Sequence, residues 1–469
     1  MIDIIIVFSY LLLTLIFGVW VGKNVGSAND YKTGGRKYSA LMIFAALSAS
    51  FMGGGFTIGL AEKTFLYGFV YILAIWGFSF KEILIANFIA PRMKFFHGAQ
   101  TVGDVMEKSF GTRTKIITGI ASVLVCGGMI GAQIAACGSI IHILLGPPPA
   151  VGALLAASIV TIYATLGGMK AVIAVDVLQF SMFAVMIPIV LFFGLQYVGG
   201  ISVFLKMLPE AHLSSLGSFD LKTLGVLFVS FFLGETLIPP YFQRLLIGKT
   251  INETKWGTLL SGVFSIFFFL VIGCIGMIAL IIEPGIHSAA ALPYVIQTVM
   301  PIGLKGLAIA AMVAIIMSYD PFLNSIAIAF SNDILKPLGL MKRIEKQELF
   351  INRLVTLTIG IIGIIISLTL TSALDVLLYS YQFWTPFILT PFIAALFGIR
   401  SSDKAFIISA TTGVLGVVFW KFFNEKELVD GMLEGTILGV LLNTLVFTAY
   451  HLFSRYKESR DLRKAGVSL

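Results

Sequence analysis

The sequence predicts an all-α membrane protein with 13 candidate transmembrane helices. Of its 469 residues, 58% are hydrophobic and 12% are charged, and the mean hydropathy of +0.98 lies outside the range of soluble domains. Apolar windows of about 20 residues recur along the chain, and each can cross a hydrocarbon core of about 30 Å. The windows lack the period-two alternation of a β-barrel, so helices are expected.

The candidate spans leave no room between them for a sizeable soluble domain. Each is long and apolar enough to be interpreted as a membrane-crossing helix. In order, the predicted spans are 2–22, 40–61, 66–90, 116–145, 149–166, 170–196, 223–243, 256–283, 302–330, 351–371, 374–398, 404–423 and 432–453.

The formal net charge of +8 is compatible with either a nucleic-acid partner or a membrane topology. The placement of the basic residues along the chain distinguishes the two. With the N-terminus outside, the predicted cytoplasmic segments hold 25 of the 32 Lys and Arg residues, and the outer segments hold six. Lys81 falls inside a span. The positive-inside rule therefore predicts a multi-pass protein of the cytoplasmic membrane, with a cytoplasmic C-terminus and no nucleic-acid partner.

The cysteines and histidines show no pattern of a metal or redox site. Cys126, Cys137 and Cys274 lie within predicted spans, which is typical of small packing residues. The five histidines lack metal-ligand spacing, and no nucleophile of an enzyme is visible. We expect a protein that is not an enzyme, has no organic cofactor and functions as a monomer.

Two predicted spans carry strong helix breakers at mid-depth. The second span contains Gly53-Gly54-Gly55, and each glycine is about 1 kcal/mol worse than alanine in a helix interior. The seventh span contains Pro239-Pro240, which removes two backbone donors. The two spans are five helices apart and run in opposite directions, which predicts an inverted repeat. Close helix packing is the alternative explanation for the glycines.

This arrangement predicts a five-plus-five inverted repeat with a broken first helix in each half. Residues 40–196 form the first repeat, and residues 197–398 form a connecting loop and the second repeat. Residues 1–39 supply an accessory helix and a cytoplasmic loop. Residues 399–469 supply two accessory helices and a basic cytoplasmic tail.

Several motifs resemble those of the sodium:solute symporter family, whose members share a leucine-transporter-type inverted-repeat core. They are Asp30–Arg36, Tyr163–Val172 with the following Asp176 and Gln179, and Ala314–Asp333. The glycines at 53–55 and the segment Tyr241-Phe242-Gln243-Arg244 look most like the choline-transporter-related branch. Choline carriers of that branch have Trp where this chain has Phe51 and Ile238, so the choline pocket is not matched.

The resemblance implies a sodium site between the second and ninth spans. Sodium needs about five or six oxygen ligands, and unwound carbonyls can supply them. The implied ligands are the carbonyls of Ala49, Met52 and Ala314 and the hydroxyl of Ser318. The family normally has two adjacent hydroxyl residues on that helix. An ungapped alignment places Met317 at the first of these two hydroxyl positions. An alignment with a gap places Tyr319 at the second position instead, and in both cases one of the two family hydroxyl residues is missing.

Asp176 and Asp320 lie deep in predicted spans, where carboxylates are costly unless they pair, face water or bind cations. Both are therefore candidate cation-binding residues. If they face one water-filled pocket, they can share a proton and support proton coupling.

The helix breaks also predict a central substrate site. Glu235, beside the second break, is either a counter-charge for a substrate amine or a cap or gate. Phe56 resembles a family position that contacts substrate. The candidate substrate residues are Ser50, Gly53, Gly54, Phe56, Gln133, Glu235 and Tyr241.

Together these features predict a secondary active transporter that imports a small organic solute, of amino acid, amine or organic acid type, by cation-coupled alternating access. Sodium is the expected coupling ion. The alternatives are proton coupling through Asp176 and Asp320, or a membrane sensor or channel that does not transport.

Overall fold

The structure is a computed structural model that describes residues 2–341, 345–369, 373–423 and 428–464. Within those ranges every regular element is helical, apart from one isolated bridge between Tyr38 and Gly248. The same ranges contain nine helices long and apolar enough to cross a membrane, or ten if one bent pair is counted. The all-α membrane fold is therefore confirmed, and the number of 13 spans stays a prediction.

The helices follow one another with short connections. The first part of the chain contains α1 (Ile2–Gly22), α2 (Ala28–Thr33), α3 (Ala40–Phe51), α4 (Leu60–Tyr67), α5 (Phe69–Leu84), α6 (Val102–Phe110), α7 (Thr112–Leu145) and α8 (Pro149–Tyr197). The middle contains α9 (Ile201–Met207), α10 (Glu210–Leu213), α11 (Leu221–Leu233), α12 (Pro239–Leu245), α13 (Ile251–Ile282) and α14 (Ala291–Val299). The last part contains α15 (Leu304–Met317), α16 (Asp320–Ala329), α17 (Glu345–Thr369), α18 (Ala373–Leu396), α19 (Asp403–Phe423) and α20 (Leu428–Lys464).

The first predicted break lies between α3 and α4. α3 ends at Phe51, the helix resumes at Gly55, and the two parts are bent by 71°. The backbone passes close to α7 here, because a Cβ on Gly53 would lie 2.7 Å from Nε2 of Gln133. Glycine at this position leaves room for the end of the Gln133 side chain, and glycines are poor residues for continuing a helix. The first break is confirmed.

The second predicted break separates α11 from α12. Pro239 and Pro240 stand in the first turn of α12, where their missing N–H groups cost nothing. Glu235 and Leu237 have left-handed φ angles of 48° and 51°, which cost about 1–3 kcal/mol each. Trp384 Nε1 of α18 donates to the carbonyl of Thr236, and this bond helps to hold the unwound segment in place.

A third interruption divides the ninth predicted span. α15 ends at Met317 and α16 begins at Asp320, an interruption not predicted from the sequence, although Leu304–Leu335 is still one segment long and apolar enough to span a membrane. Pro321 is the cause, because it has no N–H and its ring collides with the carbonyl of Met317 four residues earlier. Ser318 and Asp320 therefore lie at a break in the helix.

Gly168 divides α8 into two spans. A straight helix of 49 residues would be about 74 Å long, more than twice the thickness of a hydrocarbon core. Gly168 has φ 50° and ψ −142°, and a Cβ there would lie 2.5 Å from the carbonyl oxygen of Tyr31. The kink falls between predicted spans 149–166 and 170–196.

The pair α15–α16 occupies the centre of the bundle. Every residue from Ala308 to Ala329 is buried. Large apolar side chains on the outer helices are exposed instead, among them Leu12 on α1, Leu124 on α7 and Phe419 on α19. This distribution is that of a membrane protein whose outer surface contacts lipid and whose centre carries the polar groups.

Candidate functional site

A cavity of about 140 Å³ lies between the two broken helices. Both breaks line it, together with α5, α7 and α16. Glu62 and Lys63 of α4 line one end and are partly exposed, whereas Ala49, Asp176 and Arg244 are fully buried. The α4 end of the cavity is therefore lined by partly exposed charged residues, and the residues on the other side of the breaks are buried.

Most of the predicted substrate residues line this cavity. They are Ser50, Gly53, Phe56, Gln133, Glu235 and Tyr241. Gly54 is not in the lining, although a Cβ on it would lie 3.7 Å from Oε1 of Gln133. Their role in binding stays a prediction.

Aromatic rings form much of the cavity wall. Phe56 packs against Phe78 and Phe269, with ring centroids 4.7 and 5.6 Å apart. Tyr241 packs edge-on against Phe51 and Phe322 at 5.8 and 6.3 Å. Such contacts hold large side chains in fixed positions and present apolar faces to a ligand.

A buried group of charges lies beside the second break. Tyr241 Oη donates to Oε2 of Glu235 at 2.8 Å. Lys81 Nζ donates to the carbonyl of Gly234 at 3.2 Å, lies 3.4 Å from Oε1 of Glu82, and sits 3.7 Å from the Phe78 ring centroid. The unwound backbone at the break thus binds an ammonium group that belongs to the chain itself.

No role is predicted for Lys81 from the sequence alone. A charged residue inside span 66–90 is nevertheless unusual enough to indicate a functional or structural partner. Its partner Gly234 is 153 residues away, and no local pattern relates the two. The lining residues Met129, Ser230, Phe231 and Phe322 are also not predicted, because they are ordinary residues of apolar helices.

The predicted sodium ligands lie at two helix ends. Ala49 and Met52 are buried where α3 stops, and terminal carbonyls of a helix lack partners within it. Ser318 Oγ lies 2.9 Å from the Ala314 carbonyl and 2.8 Å from Oε1 of Gln179. A hydroxyl has one proton to donate and two lone pairs, so Ser318 can still coordinate a cation. The site itself stays a prediction.

Asp176 has a charged partner that the sequence does not predict. Arg244 Nη2 donates to its Oδ2 at 2.8 Å, and Arg244 Nη1 contacts Sδ of Met169 at the same distance. Both side chains of the ion pair are fully buried. The guanidinium already neutralises the Asp176 carboxylate, although Oδ1 has no hydrogen-bond partner in the described ranges.

Asp320 opens α16 and is fully buried. No described residue donates a hydrogen bond of strict geometry to either of its carboxylate oxygens, and the Tyr163 hydroxyl is the donor that approaches them. Asp176 and Arg244 are near enough to interact with Asp320 electrostatically. Oδ1 of Asn324 has no hydrogen-bond partner in this part of the chain. A carboxylate in such surroundings is suited to hold a proton or a small cation.

The family model of the sodium:solute symporter family matches residues 31–413, which is most of the chain. The chain belongs to the sodium:solute symporter family. The symporter is 24% identical to sodium/glucose cotransporter 4 of Danio rerio, over 95% of this chain and 72% of the relative. It is 25% identical to high-affinity choline transporter 1 of Drosophila melanogaster, over 78% of this chain and 62% of the relative.

The fold is also that of solved symporters. A sodium-coupled sialic acid symporter, in a substrate-bound outward-open state, superposes with a TM-score of 0.82 and 20% identity. The match covers 96% of this chain and 98% of the other. The predicted inverted-repeat transporter fold is thereby confirmed, and the family and the relatives are membrane transporters.

Several ionic contacts lie outside the cavity lining. Glu348 of α17 pairs with Lys32 of α2, and also with Lys336 at 2.8 Å. Asp104 of α6 pairs with Lys115 of α7 at 2.8 Å. The contact between Lys32 and Glu348 connects segments far apart in the sequence, whereas the other two join residues 12 and 11 positions apart.

Proposed function

We propose that this symporter imports a small organic solute by sodium-coupled alternating access, with the solute in the cavity between the breaks. The cavity carries the proposal, because both interrupted helices line it. With the predicted orientation of the chain, its α4 end faces outward. Relatives named as sodium cotransporters support sodium as the coupling ion.

In the proposed ion site, carbonyls of Ala49, Met52 and Ala314 and the hydroxyl of Ser318 replace part of the hydration shell of sodium. Sodium holds the end of α3 against α15 and so stabilises the outward-open state. The coupling is a free energy shared by the two ligands, so sodium and solute tighten each other's binding by the same factor.

The proposed moving units are the two inverted repeats, residues 40–196 and 197–398. Each begins with an interrupted helix that lines the cavity, and each supplies one wall of it. Residues 1–39 and 399–469 would then be accessory, with the N-terminus outside and the C-terminus in the cytoplasm.

Flux measurements test the carrier mechanism. A thermal-shift screen of metabolites, with and without sodium, identifies a solute that stabilises the protein. Uptake of that solute into proteoliposomes should saturate, require an inward sodium gradient and exchange with trapped solute. Linear flux without exchange would indicate a channel.

Ser318→Ala is expected to weaken sodium binding about tenfold, because one oxygen ligand is lost. The measurement is the melting temperature of the purified protein as NaCl replaces KCl at constant ionic strength. Ser122→Ala is the matched control, since Ser122 is also buried and donates to a carbonyl of its own helix, at Thr118. Equal sodium responses of the two variants would remove Ser318 from the site.

Proton coupling is a second candidate, favoured by the fully buried carboxylate of Asp320, which forms no ion pair with the described residues. In this mechanism Asp320 carries the proton and Asp176 remains paired with Arg244. Solute uptake driven by a proton gradient in sodium-free proteoliposomes supports it, and uptake that requires sodium at every pH excludes it.

A further inference from the structure

The charges beside the cavity do not balance. Lys81, Glu82 and Glu235 are 3%, 2% and 7% exposed, and they bring one positive and two negative groups to the same place. Of the charged groups that act on Glu235, Lys81 attracts it and Glu82 repels it. Because a buried charge without a partner is costly, this group is completed either by a proton on one carboxyl or by one more bound positive charge.

The missing charge belongs at Glu235. Lys81 is already committed to Glu82, to the Gly234 carbonyl and to the Phe78 ring. Glu82 is not in the cavity lining, whereas Glu235 is. The neutral hydroxyl of Tyr241 is the hydrogen-bond donor that Glu235 has within the described residues, and it brings no charge. A cation that completes the group therefore enters from the cavity.

Ser230 provides a second, independent observation. Its Oγ lines the cavity, is part of a side chain only 5% exposed, and finds no hydrogen-bond partner in the residues that the structure describes. It stands one helical turn before the second break, five residues from Glu235. The hydroxyl and the carboxylate together accept hydrogen bonds from a ligand with more than one N–H group.

The rest of the wall has the opposite character. Phe51, Phe56, Phe231 and Phe322 present apolar rings, and Ile75 and Met129 add aliphatic surface. This surface suits the apolar body of a ligand and also attracts a cation through the ring faces.

We propose that the transported solute is a protonated amine with an apolar body, whose ammonium group binds Glu235 and Ser230. The inference rests on the proposed function, because it takes this cavity as the substrate site. A quaternary ammonium has no N–H to donate, and a carboxylate would be repelled by Glu235. The affinity of the site for different ligands should therefore depend on the head group more than on the apolar body.

Binding to the purified full-length protein tests this with matched ligands. Isobutyl, isopentyl and phenethyl compounds are compared with ammonium, trimethylammonium, hydroxyl and carboxylate heads, in sodium and in potassium buffer. We expect the ammonium head to bind most tightly on whichever body fits. The proposal is overturned if no ammonium compound raises the melting temperature, or if hydroxyl or carboxylate compounds bind as tightly.

Glu235→Gln is expected to raise the Kd of the ammonium ligand at least about tenfold while leaving the hydroxyl analogue unchanged. Glu283→Gln, at an exposed position after α13, is the control and should not change either Kd. If Glu235→Gln does not fold, Ser230→Ala should still raise the ammonium Kd about threefold to tenfold. Unchanged ammonium affinity in the folded variants contradicts the proposal.

The outcome is separable from the proposed coupling. Amine binding that is lost with Glu235→Gln but indifferent to sodium would support the amine site and contradict sodium coupling. Sodium-driven uptake of a sugar or an organic acid would contradict the amine site and leave the sodium-coupled carrier standing.

Discussion

Arg244→Met is expected to lower the free energy of unfolding by about 3–5 kcal/mol. The guanidinium is fully buried and pairs with Asp176, so its removal leaves a carboxylate in the centre of the bundle without a counter-charge. Lost packing adds little, because methionine fills much of the same volume. Thermal or denaturant unfolding of the purified protein in one detergent measures the effect.

Two further variants separate the buried charge from other consequences of the change. The double variant Asp176→Asn with Arg244→Met removes both charges and should regain most of the loss, because no ion is left unpaired. Arg113→Met is the surface control, since its side chain is 84% exposed and lies 3.6 Å from Asp403. It should change stability by about 0.5 kcal/mol or less. A double variant no more stable than Arg244→Met would contradict this account.

The features that the sequence predicts are those whose cause is local. Three consecutive glycines cannot continue a helix cheaply, and two consecutive prolines cannot sit inside one, so both breaks are predicted at the residues where they occur. Their position also predicts the cavity, because the backbone of an interrupted helix must face protein or water rather than lipid.

The partners across the bundle could not be predicted in the same way. Arg244 lies 68 residues from Asp176, and Lys81 lies 153 residues from Gly234. Which buried charge faces which depends on how the helices pack, and the sequence around each charge says only that it needs a partner. The resemblance to choline transporters and the names of the relatives do not determine the substrate either, because one fold serves many solutes.

The break at Ser318 is an intermediate case. Pro321 is visible in the sequence, but one proline in an apolar span is as compatible with a kinked helix as with a break. The structure interrupts the helix and places Asp320 at the first turn of α16, where the helix dipole favours a negative charge. That placement makes Asp320 a testable position.

Asp320→Asn is expected to stabilise the protein by about 1–3 kcal/mol in sodium-free buffer at high pH, because an ionised carboxylate at this position is fully buried and forms no ion pair with the described residues. A proton bound by the wild-type carboxylate removes the same cost, so the wild-type protein should gain stability as the pH is lowered. Asp320→Asn should lack this gain, since it has no carboxylate to protonate. Melting temperatures over a series of pH values, in KCl, measure both effects.

Asp333→Asn is the matched control, because Asp333 is equally buried but accepts hydrogen bonds at Oδ1 from Thr101 at 2.7 Å and from Asn332 at 3.1 Å. The same substitution should destabilise there, since the carboxylate has donors that it would lose. Ser318→Ala should keep the acid-induced gain, which separates the proton site from the proposed sodium site. If Asp320→Asn is less stable than the wild type in sodium-free buffer, the carboxylate has a structural partner, and its role as a free cation-binding group has to be abandoned.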